Sequence, residues 1–220
     1  MHRHLITTSD GSHSIMDDRF DEHFHSIRGA IEESRYVYIE QGLNKLSGSC
    51  IHIFEVGFGT GLNAYLTLLD SLRSNRIIHY TSIELYPLTK NLIKQLNYPD
   101  LLSPLHKKCF NKIHEVDWNM QHRITPCFYF KKISADLASY ELDDKYDLIY
   151  FDAFSPGKQP ELWTYDIFER LFVAMNNQGV LVTYSSSGQV RRSLLSAGFR
   201  VEKMKGPGTK RHMIRAIKLP

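Results

Sequence analysis

Three glycines stand at alternate positions in a turn that follows an apolar strand. Residues 51 to 63 read IHIFEVGFGTGLN, so the strand passes through Glu55 into Gly57, Gly59 and Gly61 and continues directly into a predicted helix. Glycine allows positive φ and a close approach of the backbone to a ligand, because it has no Cβ. Strand-to-helix turns of this kind hold nucleotides. The segment therefore predicts a nucleotide-binding turn.

The spacing of the glycines indicates which nucleotide is bound. A dinucleotide-binding turn has the pattern G-x-G-x-x-G and places a pyrophosphate at the helix N-terminus. Here Leu62 follows Gly61 directly, and the carboxylate of Glu55 would repel a phosphate. A ligand that has no phosphate and carries an ammonium and a sulfonium suits this turn better. We therefore predict S-adenosylmethionine (SAM) as the ligand.

Four acidic residues fall at the carboxyl ends of predicted strands, the edge at which open parallel sheets bind ligands. We expect Glu55 to hold the ammonium of SAM, Glu84 to accept both ribose hydroxyls, and Asp136 to accept from the exocyclic amine of adenine. Asp152 ends the fourth strand. Each carboxylate has an alternative role as a helix N-cap. Four on one edge, however, would repel one another unless a cationic or hydroxyl-rich ligand lay among them.

The adenine ring also needs apolar cover, which Phe58 or Leu137 would supply. The complete set of residues predicted to bind SAM is Glu55, Gly57, Phe58, Gly59, Thr60, Gly61, Asn63, Glu84, Asp136 and Leu137.

A second motif, DAFSPGKQPELW at residues 152 to 163, follows the fourth strand. Its two prolines fix a rigid loop over the predicted methyl donor. Phe154 and Trp163 would form a stacking wall for a flat substrate, with the alternative that Trp163 belongs to the core. An alkylammonium has a pKa of about 10 and an aspartate of about 4, so Asp152 is a poor base for an amine. Its predicted role is to orient an amine and stabilise the cation that develops on nitrogen.

The elements that must position these residues alternate between strand and helix from residue 51 onwards, which predicts crossover units and a parallel sheet. We predict a class I SAM-dependent methyltransferase fold of the α/β class, with seven strands of which the last is antiparallel. Residues 146 to 151 are nearly all apolar, as expected for a central strand buried on both faces. Residues 98 to 123 interrupt the alternation and are interpreted as an insertion or an irregular helical excursion.

The first part of the chain is predicted to form an extension to this domain. Residues 5 to 16 favour a small hairpin outside the main sheet, and residues 21 to 42 show mixed helical spacing. We therefore divide the chain into an extension at residues 1–48 and a methyltransferase domain at residues 49–220.

Composition excludes several classes of protein. No segment approaches the roughly 18 apolar residues of a membrane span, and the N-terminus lacks the apolar core of a signal peptide. The three cysteines form no C-x-x-C pair, which favours the reducing cytoplasm. The histidine pairs His2/His4 and His23/His25 have no further ligand at a suitable spacing, so we predict no metal. The oligomeric state is not indicated, and a monomer is consistent with the sequence.

The net charge of +3 is unevenly distributed. Residues 186 to 220 contain nine Lys or Arg against Glu202 alone, a net +8, which leaves the first 185 residues at −5. A basic end on an acidic body suggests a polyanionic partner, above all nucleic acid. The alternative is a solvated charged face.

Several stretches resemble one family, the methyltransferase domain of the tRNA 5-methylaminomethyl-2-thiouridine biosynthesis protein. They are FEVGFGTGLN at 54–63, the motif at 152–163, TYS at 183–185, VRR at 190–192, AGF at 197–199 and KRHM at 210–213, with TSDGS at 8–12 and GAIEES at 29–34 in the extension. The resemblance covers nearly the whole chain, and the motif at 152–163 is its most specific part.

The resemblance implies SAM-dependent methylation of the primary amine of 5-aminomethyl-2-thiouridine at the tRNA wobble position. Asp152 matches the acid beside the acceptor, and tRNA is the implied partner. The residues expected to contact the substrate are Phe154, Ser155, Pro156, Lys158, Arg191 and Lys210. Members of the family that carry a following FAD-dependent oxidase domain are bifunctional, and this sequence, which stops at Pro220, looks like a stand-alone member.

Two other functions remain open. A SAM or decarboxylated-SAM enzyme that acts on a free small amine would not need the basic C-terminal end. A non-catalytic nucleotide-binding module would not need Asp152 and its rigid loop.

Overall fold

A computed structural model describes residues 3–208 and 211–220. The strands of its central sheet are β4 (Cys50–Val56), β5 (Ile77–Glu84), β6 (Gln121–Thr125), β7 (Phe128–Ser134), β8 (Tyr146–Phe151), β9 (Met175–Thr183), β10 (Arg200–Lys205) and β11 (His212–Ile217). Their order across the sheet is β10-β11-β9-β8-β4-β5-β7-β6. The five neighbouring strands β9, β8, β4, β5 and β7 pair in parallel, whereas β6 and β11 pair antiparallel with their neighbours. All parallel strands therefore end at one edge, the carboxyl edge.

Helices connect the parallel strands and cover both faces of the sheet. They are α1 (Ala30–Ser34), α2 (Leu62–Ser74), α3 (Lys90–Ile93), α4 (Tyr98–Leu102), α5 (Lys107–Glu115), α6 (Tyr165–Ala174) and α7 (Gly188–Ser196). A π-helical segment (Arg35–Glu40) continues α1, and single 3₁₀ turns lie at Leu43–Lys45, Pro104–His106 and Pro160–Trp163. The hydroxyls of Thr164 and Ser187 cap α6 and α7 by accepting from backbone amides in the first turn. No helix of the described residues has both the length and the apolar character needed to cross a bilayer.

The core has two apolar layers, one on each face of the sheet. Strand β8 contributes to both, since Leu148 and Tyr150 face one layer while Ile149 and Phe151 face the other, all four fully buried. Each such side chain contributes roughly 1.5 to 3 kcal/mol relative to an exposed position. The expectation that residues 146 to 151 form a central strand is confirmed.

The N-terminal extension begins with a separate antiparallel sheet of β1 (Arg3–Thr7), β2 (His13–Asp17) and β3 (Glu22–His23). It is fastened to the main domain by polar contacts. The guanidinium of Arg3 donates to the carbonyl oxygen of Tyr86, and the amide of His13 donates to Asn97. The predicted hairpin is confirmed, and the extension lies beside the carboxyl edge of the central sheet.

The fold class is confirmed, but the central sheet has eight strands among the described residues rather than seven. The additional strand is β6, which pairs with β7 and overlaps the end of the segment interpreted as an insertion, residues 98 to 123. Only Ile124 of β6 is buried, so this edge strand has no clear alternation of apolar residues. The mixed helical spacing at residues 21 to 42 resolves into β3, α1 and the π-helical segment.

Candidate active site

A cavity of about 300 Å³ opens at the carboxyl edge, above the ends of β4, β5, β7 and β8. The glycine turn forms its floor, and the segment around residues 20 to 27 of the N-terminal extension forms one wall. This position agrees with the general rule for open α/β sheets. The volume is at the lower end of the range for small-molecule sites, roughly 300 to 1,000 Å³.

Close contacts make glycine necessary in the turn. Gly57 has φ of +89°, and a Cβ there would lie 2.6 Å from the carbonyl oxygen of Asp152. Gly59 has φ of +48°, and its Cβ would lie 2.9 Å from the ring of Phe24. The amide of Asp152 in turn donates to the carbonyl oxygen of Val56. The turn is therefore held between the end of β8 and the N-terminal extension.

Glu84 is fixed at the side of the cavity by two backbone amides. Its Oε2 accepts from Gly59 N at 3.0 Å and its Oε1 from Tyr86 N at 2.8 Å. The carboxylate is half-buried and keeps lone pairs for further donors. A carboxylate held in this way could accept from a pair of ribose hydroxyls.

Phe58, Asp136 and Leu137 also line the cavity. Phe58 and Leu137 are buried, and Phe58 packs against Phe130 with ring centroids 5.7 Å apart. Asp136 Oδ1 accepts from Ala138 N at 2.9 Å, which orders the turn after β7. The structure brings these three residues together with Glu84. Phe58 and Leu137 can cover a flat ring, Asp136 can accept from an amine on that ring, and Glu84 can accept from hydroxyls beside it. These are the groups that a SAM nucleoside requires.

Glu55 does not reach the cavity, which corrects the expectation that it holds an ammonium there. Its side chain shares the face of β4 with Ile51 and Ile53 and points into the core, where it is fully buried and accepts from Ser82 Oγ at 2.6 Å. Burial raises the pKa of Glu55 to about 8, so the carboxyl is largely protonated at neutral pH.

Thr60 and Gly61, at the end of the glycine turn, and Asn63, in the first turn of α2, are likewise absent from the cavity wall. Thr60 is fully buried, and its hydroxyl lies 2.7 Å from Nε2 of His25 in the extension. The contact ties the extension to the glycine turn. These residues therefore support the turn instead of facing the cavity.

Asp152 lies on the cavity wall at the end of β8. Its Oδ2 accepts from Asn63 Nδ2 at 2.7 Å, and the hydroxyl of Tyr38 lies beside the same carboxylate. Burial, followed by the charge of Asp152, raises the pKa of Tyr38 well above its usual value, so the phenol stays protonated. Tyr38 belongs to the π-helical segment, a conformation frequent at functional sites.

The extension contributes residues that sequence reasoning did not identify. The ring of Phe154 stacks on Phe20 at 4.5 Å and meets the edge of Phe24 at 5.1 Å, while Glu22 Oε2 accepts from both the amide and the hydroxyl of Ser155 at 2.9 Å. Phe20, Glu22, Phe24 and Phe154 all line the cavity. Phe24 lies in the stretch of mixed helical spacing at residues 21 to 42, which gave no indication of a contact with Phe154.

Two more cavity residues were not identified from the sequence. Glu33 of α1 is buried and accepts from the amide of Ser26, and the hydroxyl of Tyr184 donates to the carbonyl oxygen of Ala153. Burial, followed by the charges of Glu22, Asp152 and Glu33, raises the pKa of Tyr184. The side of the cavity near Asp152 is therefore acidic and aromatic.

Other residues of the predicted substrate set lie outside the cavity wall. Lys158 pairs with Asp21 at 2.9 Å, and Pro156 stands in the same outer part of the loop. Arg191 is exposed on α7, and Lys210 lies outside the described residues. Trp163 is fully buried and donates to the carbonyl oxygen of Phe154, so it belongs to the core, the alternative considered above.

Comparisons with known proteins agree with this geometry. The family model of S-adenosyl-L-methionine-dependent methyltransferases matches residues 99–219. Two relatives called tRNA 5-methylaminomethyl-2-thiouridine biosynthesis bifunctional protein MnmC match 89% and 90% of the chain, from Marinomonas sp. at 31% identity and from Vibrio vulnificus at 33%. The chain spans about a third of the length of these curated relatives, 31% and 33% respectively.

Solved structures give the same result. The crystal structure of MNMC2 from Aquifex aeolicus superposes with a TM-score of 0.83 at 30% identity, over 100% of this chain and 72% of that one. The glycopeptide N-methyltransferase MtfA, solved with sinefungin, has a TM-score of 0.52 at 13% identity over 86% of each chain, which indicates a shared fold alone. The chain thus belongs to the S-adenosyl-L-methionine-dependent methyltransferase family, in the branch of the MnmC methyltransferase domain and MNMC2, and its cofactor is SAM.

Proposed function

We propose that this chain methylates the primary amine of 5-aminomethyl-2-thiouridine at the wobble position of tRNA, giving 5-methylaminomethyl-2-thiouridine. The observation that carries the proposal is the position of Asp152, on a cavity wall lined by aromatic rings and directly beside the glycine turn. The names of the MnmC relatives, which describe biosynthesis of the same nucleoside, support the choice of substrate.

The cofactor side of the site is assigned to residues on β4, β5 and β7. Glu84 accepts from the ribose hydroxyls, Asp136 from the adenine amine, and Phe58 and Leu137 cover the ring. When bound, SAM supplies an electrophilic methyl group on sulfur. Gly57 and Gly59 line the cavity and present their backbone to this ligand.

The acceptor side is assigned to Asp152 and the N-terminal extension. Methyl transfer is an in-line displacement, so the amine must arrive neutral, with its lone pair aligned, and becomes cationic as the bond forms. The carboxylate of Asp152, held by Asn63, orients an amine hydrogen and stabilises the new positive charge. Glu22 and Glu33 add negative charge around the same position. The stacked rings of Phe20 and Phe154 present an aromatic surface to the flat base.

In this proposal the extension, residues 1–48, completes the acceptor side of the methyltransferase domain, residues 49–220. The three free cysteines fit the cytoplasm, where tRNA is modified.

The tRNA surface is assigned to the basic rim, defined as Arg191, Arg192, Lys203, Lys205 and Arg211. Helix α7 starts at the carboxyl edge, directly after β9, and β10 ends at that edge beside the start of β11. The hydroxyl of Tyr36 donates to the carbonyl oxygen of Lys205, so the rim is joined to the π-helical segment that places Tyr38 beside Asp152. All five side chains are exposed. Exposed cations on the edge of the sheet that carries the cavity can contact the phosphates of a tRNA whose base enters the cavity.

The test is incubation of the protein with methyl-labelled SAM and tRNA from cells that lack this modification, followed by digestion to nucleosides. We expect label in 5-methylaminomethyl-2-thiouridine with wild-type protein, and an initial rate of labelling at least about 100-fold lower with Asp152→Asn. A parallel reaction with a free diamine tests the competing function. Label in the diamine and none in tRNA would overturn the proposal.

A further inference from the structure

Cys50, His52 and His79 come together at the amino edge of the central sheet, opposite the cavity. Cys50 and His52 are two residues apart and share a face of β4, and His79 lies directly across from His52 on β5. One ligand atom from each side chain lies within 4.8 Å of the other two. The histidine pairs seen in the sequence gave no sign of this cluster, because these three residues become neighbours only through strand pairing.

The side chains are held in place by their surroundings. The rings of His52 and His79 are parallel, with centroids 4.6 Å apart and an angle of 5°, and Tyr129 stacks on the other face of His79 at 4.8 Å. The amide of His52 donates to Asp147 Oδ2 at 2.9 Å, which fixes the adjacent backbone. Cys50 is exposed, so the cluster is open to solvent on one side.

The ligand set matches one class of ion. A thiolate with two neutral imidazoles suits Zn²⁺ and related divalent transition metals, with bonds of about 2.3 Å to sulfur and about 2.0 Å to nitrogen. Tetrahedral geometry then places the ligand atoms roughly 3.3 to 3.5 Å apart, and rotation of the side chains closes the present spread of up to 4.8 Å to that distance.

We propose that Cys50, His52 and His79 form a binding site for Zn²⁺ or a similar thiophilic divalent ion, with solvent as the fourth ligand. The ion links the first residues of β4 to β5. The site is separate from the methyltransferase cavity, since Cys50 begins β4 whereas the glycine turn follows its end, roughly 20 Å away at 3.3 Å per residue. The proposal does not depend on the substrate assigned above.

The test is the alkylation rate of each cysteine, measured by mass spectrometry with iodoacetamide, with and without a slight excess of Zn²⁺. We expect Zn²⁺ to slow modification of Cys50 by about tenfold or more, because the coordinated thiolate is shielded. Cys109 and Cys127, also free, are controls within the same molecule and should change little. Equal slowing of all three cysteines, or no slowing of Cys50, would overturn the proposal.

Variants separate coordination from nonspecific binding. His79→Gln should abolish the protection of Cys50, while His4→Gln, in the N-terminal sheet, should retain it. With Co²⁺, the wild type should show a thiolate-to-metal absorption band that Cys50→Ser lacks. Calorimetric SAM affinity should be unchanged in both cluster variants, which verifies that they fold. Protection that persists in His79→Gln would contradict the site.

Discussion

Asn63 Nδ2 donates to Asp152 Oδ2 at 2.7 Å, so the first turn of α2 holds the carboxylate at the end of β8. Asn63 also lies beside the buried carboxyl of Glu55. The amide thus separates a largely protonated acid in the core from an acid on the cavity wall. The glycine turn, which joins β4 to α2, therefore positions an acceptor-side residue as well as the cofactor.

Asn63→Leu should impair the reaction more than SAM binding. The substitution removes the donor to Asp152 with little change in volume, and a hydrogen bond to a charged group is worth about 1.5 to 3 kcal/mol. We expect kcat/KM to fall by about 10- to 150-fold, with SAM affinity within about twofold of wild type. Ser71→Ala is the control, because Ser71 is buried on the same helix and its hydroxyl donates to the carbonyl oxygen of Leu68 within that helix. A matching loss of SAM affinity would show that Asn63 serves the turn alone.

Asp152→Asn tests the charge on the acceptor side. The amide keeps the size of the side chain but cannot stabilise a developing cation, so kcat/KM should fall by at least about 100-fold, or about 2.7 kcal/mol. Asp147→Asn makes the same change at the other end of β8 and should leave the rate unchanged. Near wild-type methylation by Asp152→Asn would mean that the carboxylate has a structural role only.

Glu84→Ala should weaken SAM binding, since the ribose hydroxyls would lose their acceptor. The expected loss is about 1 to 3 kcal/mol, or about 5- to 150-fold in Kd. Glu115→Gln, at the exposed end of α5, is the control. Titration calorimetry measures both variants. Unchanged SAM affinity in Glu84→Ala would remove this residue from the cofactor site.

The central sheet and the glycine turn could be predicted because their signals are local. Residues 146 to 151 are apolar except for Asp147, and the glycines stand directly between a strand and a helix. The inward orientation of Glu55 could also have been predicted, because side chains alternate along a strand and Glu55 therefore lies on the same face of β4 as Ile51 and Ile53. Its position beside the glycines had suggested a ligand contact instead.

The acceptor side could not be predicted in the same way, because its contacts join distant parts of the chain. Glu22 and Ser155 are 133 residues apart in sequence, and nothing near Glu22 indicates that it accepts from that loop. The stacking of Phe20 on Phe154 likewise joins residues that are far apart in sequence. A long-range pairing of this kind appears only once the extension is packed on the domain.

Glu55 should make stability depend on pH. Its pKa is about 8 in the folded protein, against 4.5 when unperturbed. Between these values the folded state holds a proton that the unfolded state has lost, so stability falls as pH rises from about 4.5 to about 8. Glu55→Gln preserves the shape of the side chain and does not titrate.

Relative to Glu55→Gln, the wild type should therefore lose on the order of 4 kcal/mol of unfolding free energy over this range. Urea unfolding at about pH 5 and about pH 8.5 measures the difference. Burial lowers the pKa of His114 to about 3, which adds an opposite slope at acid pH, but that slope is common to both proteins and cancels. Parallel pH profiles for the two proteins would refute the raised pKa.

The basic rim should determine how tRNA affinity responds to salt. Lys and Arg that contact phosphates release counterions, and each contact contributes about 0.7 to 0.9 to the slope of log affinity against log salt. Arg191→Gln with Lys205→Gln should therefore flatten the slope by about 1 to 2 and raise the KM for tRNA, with SAM affinity intact. Lys45→Gln with Arg73→Gln removes the same charge from exposed positions near the amino edge and should leave the slope unchanged. Filter binding at several salt concentrations compares the two variants. Equal slopes for the wild type and both variants would mean that the basic rim is a solvated face without phosphate contacts. The tRNA would then bind to another surface, and the N-terminal sheet would be the next one to test.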